Sequence, residues 1–294
     1  MSISVVIPVY KQKKLFLENL SHNVSYLGQN EIIVVNDNPE ESLKDELFHI
    51  KNVVLIENAK NMGFGESVNK GVIKAKNQYV MLLNSDVRLH DVSFKKALDY
   101  FESDPRMFAV SFAQKEKNGS IVGKNEIYWS GGMFYHRKAS DLLPGKNAWA
   151  EGGACIIDKN KFIKLGGFDS IFAPFYWEDI DLSYRAWKSK YLIFFDPGIQ
   201  VEHYHESTIG AYFSKKQIAA IAHRNQFLFM WKNIHEAPLI VSQWFFLPYQ
   251  MVFHLLKGNT AFVKGFFLAF RLRSRIKKEH GVITDSQIIN SFSS

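Results

Sequence analysis

Two short acidic stretches and a pair of histidines carry most of the residues able to do chemistry. Tyr79-Val80-Met81-Leu82-Leu83 is an unbroken apolar run that stops on Asn84-Ser85-Asp86. Apolar residues without alternation suit a strand covered on both faces, and the C-terminal edge of such a sheet is where open α/β folds bind ligands. A carboxylate delivered there can hold a divalent cation, the usual clamp for a diphosphate. It can equally cap a helix starting near Asp91, and on the triplet alone both readings stand. The second stretch is Trp177-Glu178-Asp179-Ile180-Asp181-Leu182. Acids at a helix start complement the macrodipole, and for Asp181 that is the better account. Glu178 and Asp179 follow Phe175-Tyr176-Trp177, a setting that could desolvate a carboxyl and raise its proton affinity, as a general base requires. His203 and His205 alternate on an extended segment, so both could face one side. Alone each reads as a structural histidine; with Asp86 across the sheet, His203 becomes a candidate second metal ligand.

The loop Asn61-Met62-Gly63-Phe64-Gly65-Glu66-Ser67-Val68-Asn69-Lys70-Gly71 follows a strand pattern and opens a helix, a position where backbone amides receive anions. Gly63-x-Gly65 admits a dinucleotide fingerprint and hence a nicotinamide-dependent dehydrogenase. Val68 stands where the third glycine belongs, however, and two β-units precede the motif that would normally open such a domain.

The positioning elements follow from periodicity. Apolar, β-branched runs at residues 4–9, 31–35, 52–56 and 79–83 each end on polar residues and are separated by helix-sized intervals. That spacing predicts βαβ units, and so an α/β, doubly wound fold with a mainly parallel sheet flanked by helices. Strands at 108–112 and 154–157 are joined by Gly- and Lys-rich loops where an acceptor would bind. A helical pattern runs from Phe168-Asp169 to Trp187, and a short strand, Leu192–Phe195, leads through Asp196-Pro197-Gly198 to Val201-Glu202-His203-Tyr204-His205. From Ser214 onward the chain reads as helical and aromatic, giving a first domain over 1–213 and a helical extension over 214–294. Residues 237–256 carry no Lys, Arg, Asp or Glu, close to spanning length, but Ser242, Gln243, Pro248, Gln250 and His254 punctuate them. Phe262, Phe266 and Phe270 lie one turn apart, with Lys264, Arg271, Arg275 and Lys278 opposite. An interfacial helix pair at an anionic membrane surface is preferred to a true span, with a packed helical subdomain as the alternative.

The chain has 294 residues, 47% of them hydrophobic, and a net charge of +7, which calls for an anionic partner. Much of that charge lies in the tail, so nucleic acid is not the expected partner. Cys155 is the sole cysteine, which excludes an internal disulfide and a Cys-based zinc site and suits a reducing compartment. The N-terminus lacks a basic region and a small-residue cleavage site and reads as a strand from residue 3. The expected location is cytoplasmic, peripheral at the inner face of the cell membrane.

From about residue 3 to 235 the chain resembles family 2 glycosyltransferases of the GT-A fold, and within them the rhamnosyltransferase-like branch that builds bacterial surface polysaccharides. The resemblance rests on seven motifs in order: Val6-Ile7-Pro8-Val9-Tyr10, Val34-Val35-Asn36-Asp37, the Asn61 to Gly71 loop, Leu83-Asn84-Ser85-Asp86-Val87, Gly166-Gly167-Phe168-Asp169, Trp177 to Leu182 with Arg185, and His203. It implies inverting transfer of a sugar from a nucleotide-diphosphate sugar to a hydroxyl of a saccharide or lipid-linked saccharide. Pro8 and Tyr10 would line the nucleobase pocket, Asp37 would bond the base, and Asn61, Gly63 and Asn69 would shape the nucleotide side. Asn84-Ser85-Asp86 takes the place of the family's Asp-x-Asp motif. Asp86 would hold Mn2+ or Mg2+ on the diphosphate, while Asn84, replacing the first acid, and Ser85 would contact the donor. Asp179 would be the catalytic base, with Glu178, Trp177, Gly152 and Gly153 in the acceptor site. His203, or alternatively His205, would be the distal metal ligand. A catalytically silent nucleotide-sugar-binding module of a membrane assembly is the alternative from another class.

Overall fold

A computed structural model describes residues 2–203, 210, 212–279 and 281–292. Its first strands, β1 (Ile3–Val9), β2 (Glu31–Asn36), β3 (Val53–Glu57) and β4 (Tyr79–Leu83), pair in parallel in the spatial order β3-β2-β1-β4. Every residue of β4 is buried, as its unbroken apolar run requires. Helices α1 (Lys13–Leu27), α2 (Lys44–Leu47) and α3 (Phe64–Lys74) make the connections. Gly71 lets α3 approach the sheet: a Cβ there would come within 2.4 Å of Val6 Cγ1. The chain leaves β1 toward β2 on one side and returns with β4 on the other, so the C-terminal ends of β1 and β4 flank a crevice. Pro8 is tolerated because the β1–β4 register ends at Val6↔Leu82, and its nitrogen owes β4 no ladder bond.

Beyond β4 the sheet turns mixed. β5 (Val87–Leu89), α4 (Ala97–Ser103), β6 (Met107–Lys115), β7 (Ile121–Val122), β8 (Asn125–Ser130), β9 (Met133–Lys138), β10 (Gly145–Lys146), β11 (Ala154–Asp158), α5 (Lys159–Lys164), α6 (Glu178–Lys188) and β12 (Leu192–His203) follow in chain order. The sheet extends as β4-β11-β6-β12-β10, with β11 antiparallel to both neighbours and β8–β9 a separate hairpin. Three local expectations are corrected. Asp86 caps no helix, because β5 follows it at once and the next helical turn begins at Ser93. The helix expected from Phe168 starts only at Glu178, after a 310 turn over Ser170–Phe172. The last strand is not two pieces joined at Asp196-Pro197-Gly198: β12 runs through, absorbing Pro197 in a register shift between Asp196 and Gln200.

Among the described residues after β12 are four α-helices: α7 (Lys215–Asn233), α8 (Ala237–Leu256), α9 (Thr260–Leu272) and α10 (Asp285–Asn290). Phe227, Leu228, Phe229 and Met230 of α7 are fully buried, and Phe229 packs on Phe134, Trp177 and Tyr184. The α6–α7 junction is ionic as well as apolar. Asp181, fully buried, accepts from Arg185 Nε (2.9 Å), Lys232 Nζ (3.0 Å) and Asn233 Nδ2 (2.8 Å), and Lys232 also reaches Asp169 at 2.6 Å. The macrodipole account of Asp181 is therefore replaced: its partners come from its own next turn and from α7. Burial alone would raise this carboxyl's pKa, but Arg185 and Lys232 outweigh it and hold the group below the ordinary Asp value of 3.8.

Because the folded-state pKa is depressed, Asp181 contributes stability at pH values above the unfolded one and loses it as pH falls through the folded one. Asp181→Ala, which takes the carboxylate from buried Arg185 and leaves Lys232 with Asp169 alone, is expected to lower the unfolding free energy by about 3–5 kcal/mol near neutral pH. In urea titrations the gap from the parent should narrow on acidification below the ordinary Asp value.

Candidate active site

β5 runs antiparallel to β12 with Val87 opposite His203, which brings the imidazole to the triplet: His203 Nε2 lies 3.1 Å from Asp86 Oδ1. The other ring nitrogen, Nδ1, is 2.5 Å from Gln114 Oε1. Gln114 Nε2 faces the Glu151 carboxylate, which can only accept, so its amide oxygen is left to accept from His203 Nδ1–H. With that proton on Nδ1, Nε2 faces the Asp86 carboxylate oxygen and donates to it only when the ring carries a second proton. Two acceptors at that separation need a proton or a cation between them. The donor set of one carboxylate and one imidazole thus fits a divalent cation. Among the described residues no cluster of three His, Cys, Asp or Glu assembles, so the remaining coordination would fall to diphosphate oxygens and water. His205, the alternative ligand, lies outside the described residues.

Asp86 is aimed by α1. Asn19 Nδ2 donates to Ser85 O (2.9 Å) and Asn23 Nδ2 to Val87 O (2.9 Å), while Leu89 N donates to Asn23 Oδ1 and Arg88 Nε to Asn19 Oδ1. Sequence reasoning missed both asparagines, although two amides one turn apart on the buried face of a helix are a visible signal. Asn84 N donates to Gly153 O at 2.9 Å, and a Cβ on Gly153 would fall 2.4 Å from Asn84 Nδ2. Gly153 therefore seats the Asn84 amide, and Gly152 lies against Phe64 and Phe168.

Glu178 and Asp179 open α6, immediately after Tyr176 (φ 70°) and Trp177 (φ 79°), both in the left-handed region that bulky residues avoid. This strained approach is over-determined: Asn225 Nδ2 on α7 lies 2.7–3.0 Å from the carbonyls of Phe172, Phe175 and Tyr176. Asp179 accepts from Ile180 N (2.8 Å) and from the Gly152 amide. Gly152 and Gly153 thus tie the acid pair to the Asn84 end of β4. Solvent still reaches both carboxyls, but protein crowds them. Burial, reinforced by the Glu151 charge, lifts Asp179 above the ordinary carboxylate range; burial and then Asp179 itself lift Glu178. Adjacent and interacting, they titrate as a pair. Glu178 opens on a groove with Gly63, Phe64 and Pro174. Trp177 is buried among Phe134, His136 and Phe229.

On the nucleotide side Asp37 is buried and heavily engaged. It accepts from Asn58 Nδ2 (2.8 Å), Met62 N (2.7 Å) and Gly63 N (2.8 Å). The anion held by the glycine loop's first amides is therefore Asp37, which removes the physical basis for a pyrophosphate at Gly63-x-Gly65. Asn61 Oδ1 also accepts from Gly63 N, stiffening the turn. Asn69 commits both ends of its amide to the Phe168 backbone, at 2.8 and 2.9 Å, and so staples α3 to the Gly166–Phe168 loop. Tyr10, at the end of β1, meets Tyr212 edge-on, with Lys11 Nζ 4.6 Å from the Tyr212 ring centre.

This geometry has relatives. The family model described as Glycosyl transferase family 2 matches residues 4–166, more than half of the chain. Poly-beta-1,6-N-acetyl-D-glucosamine synthase of Staphylococcus aureus is 23% identical over 200 residues, 66% of this chain and 48% of the relative. The synthase of the same name from Staphylococcus epidermidis is 24% identical with the same coverage. The chain thus spans about half the length of these curated relatives. Among solved structures, GalNAc-T7 with UDP, GalNAc and Mn2+ superimposes with a TM-score of 0.60 at 15% identity, over 78% of this chain and 47% of that one. A mannosyltransferase from Pyrobaculum calidifontis in complex with GDP-Man and Mn2+ gives 0.55 at 12% identity, over 92% and 75%. At these identities the structural likeness is one of fold, and it bears out the GT-A-type sheet with its C-terminal helices. By the extent of the family match, the chain belongs to glycosyl transferase family 2.

Proposed function

We propose that this protein is an inverting, divalent-cation-dependent glycosyltransferase, which moves a sugar from a nucleotide-diphosphate donor to a hydroxyl of a saccharide or lipid-linked saccharide in surface polysaccharide synthesis. The observation that carries the reading is the contrast between two carboxylate sites. Asp86 lies 3.1 Å from His203 Nε2, and Asp179 sits at a helix start where crowding raises its proton affinity. A cation bound by Asp86 and His203 would supply positive charge to the diphosphate as the glycosidic bond breaks. Asp179, oriented by the Gly152 amide, takes the proton of the acceptor hydroxyl as its oxygen forms the new bond to the anomeric carbon. The electron pair of the broken bond leaves with the nucleoside diphosphate, and a single displacement from the opposite face inverts the centre. Glu178 fits the acceptor side of the groove. The names of the relatives above carry N-acetylglucosamine, N-acetylgalactosamine and mannose, so these donors belong beside a rhamnosyl donor in any screen. Manganese in the two structural relatives supports the cation in the proposal.

Three outcomes test the assignment. Asp179→Asn is expected to lower kcat by about a hundred- to ten-thousand-fold while leaving donor affinity intact, and near-normal turnover would refute the base. Gln114→Leu removes the group that sets the His203 tautomer. Calorimetric titration of Mn2+ with nucleoside diphosphate should show affinity weakened about tenfold or more, with Asp86→Ala as the reference for loss. Glu151→Gln deletes a charge that raises the Asp179 pKa, so the acid limb of the kcat/KM profile should move to lower pH; an unmoved limb contradicts the coupling.

A further inference from the structure

Helix α8 carries most of its large apolar residues on its outer face. Val241, Trp244, Phe245, Tyr249, Val252 and Leu256 form an exposed stripe, Phe245 at 75% and Leu256 at 83% exposure. Its three buried residues are Gln243, Leu247 and Gln250. Gln250 Nε2 donates to Gly131 O at 2.9 Å, and Ser242 Oγ accepts from Trp129 Nε1 at 3.4 Å, so polar groups grip the β8–β9 hairpin on an inner face where Leu239, Ile240, Leu247 and Met251 pack on the core. A helix whose outer face meets water has the reverse pattern. The next segment supplies charge: from Lys257 to Lys278 there are seven Lys or Arg and no acid, and all seven are exposed.

We propose that this face seats the protein on an anionic lipid bilayer, with α8 lying in the plane of the interface. The apolar stripe would enter the headgroup–acyl boundary and the basic segment would meet lipid phosphates. By length and composition α8 could cross a membrane, but both its ends are fastened to one body. At its start, His235 N donates to Asp285 at 2.7 Å and Ser286 N donates to Glu236. After its end, Gly258 turns the chain and α9 runs back along α7: Gly265 backs on Ala220, His223 and Arg224, and Phe262 packs on Phe227. A span would carry α9 to the opposite side of the bilayer from α7. A second copy of the chain is a poorer cover, since a two-fold contact would oppose two basic segments.

The proposal is independent of the sugar chemistry, and so is its test. Full-length protein is floated with vesicles of phosphatidylcholine alone or with phosphatidylglycerol. Binding is expected with the anionic vesicles, falling on the order of tenfold or more for Phe245→Ser/Tyr249→Ser and for Arg271→Gln/Arg273→Gln/Arg275→Gln. No flotation, or variants that float like the parent, would overturn it; so would a dimer in sedimentation that dissolves in the Phe245→Ser/Tyr249→Ser variant. Should a variant misfold by circular dichroism, quenching of the parent's tryptophan fluorescence decides. Lipids brominated near the headgroup end of the acyl chain should quench more than those brominated deep, and equal or deeper quenching refutes the in-plane seat.

Discussion

The arrangement of the candidate site depends on a carboxylate that has no chemical part in it. Asp181 is buried with Arg185, Lys232 and Asn233 around it, and Lys232 extends the network to Asp169. This cluster fixes α6 against α7 and against the loop that leads into α6. Asn225 on α7 then holds the carbonyls of that loop, so the left-handed turn at Tyr176 and Trp177 has nowhere to relax. Such strain is retained where surrounding contacts over-determine it. Its product is the placement of Glu178 and Asp179 at the first turn of a helix, facing the crevice left by the divergence of β1 and β4.

Environment sets the two carboxylates apart, since chemically they are alike. Asp86 meets a histidine whose tautomer is set from behind by Gln114, which makes its surroundings hungry for positive charge. Asp179 is crowded by protein and by the Glu151 charge, which makes it hold a proton more tightly. Glu151 touches both arrangements, through Gln114 toward His203 and through its field toward Asp179. One partly buried residue therefore opposes ionisation at Asp179 while supporting the orientation of His203 beside Asp86. Gly152 and Gly153 add a covalent link, one amide on Asp179 and one carbonyl on Asn84.

Periodicity alone located the parallel strands, because an unbroken apolar run leaves few other folds available, and chemical type singled out Asp86, Glu178, Asp179 and His203. The supporting residues were hidden for a physical reason. Gln114, Asn225 and Lys232 are single polar residues whose partners lie far along the chain, at separations of 89 for Gln114 and His203 and 53 for Asn225 and Phe172. No local pattern marks them. Asp181 was misjudged on the same ground: a macrodipole account uses only its neighbours in sequence, and Lys232 is 51 residues away. Asp37 is a different case, since resemblance assigns it to the base while the fold commits it to the Met62 and Gly63 amides. Its observed work is to shape the nucleotide-side loop.

Helix α7 joins the acid pair to α9. Its Asn225 and Lys232 hold the acid pair in position, and its Ala220, His223 and Arg224 receive α9. If α8 lies in a bilayer interface, α7 is bonded both to the membrane-seated helices and to the loop that presents Asp179. The height of Asp179 above the lipid surface is then set by packing within one body rather than by a linker. That is the geometry a lipid-linked acceptor demands, because its reactive hydroxyl is confined to a narrow range of distances from the bilayer. It also accounts for the polar groups on the inner face of α8: Gln250 bonded to Gly131 ties the helix to the hairpin directionally, where the apolar contacts of Leu247 and Met251 alone would leave it free to slide into lipid.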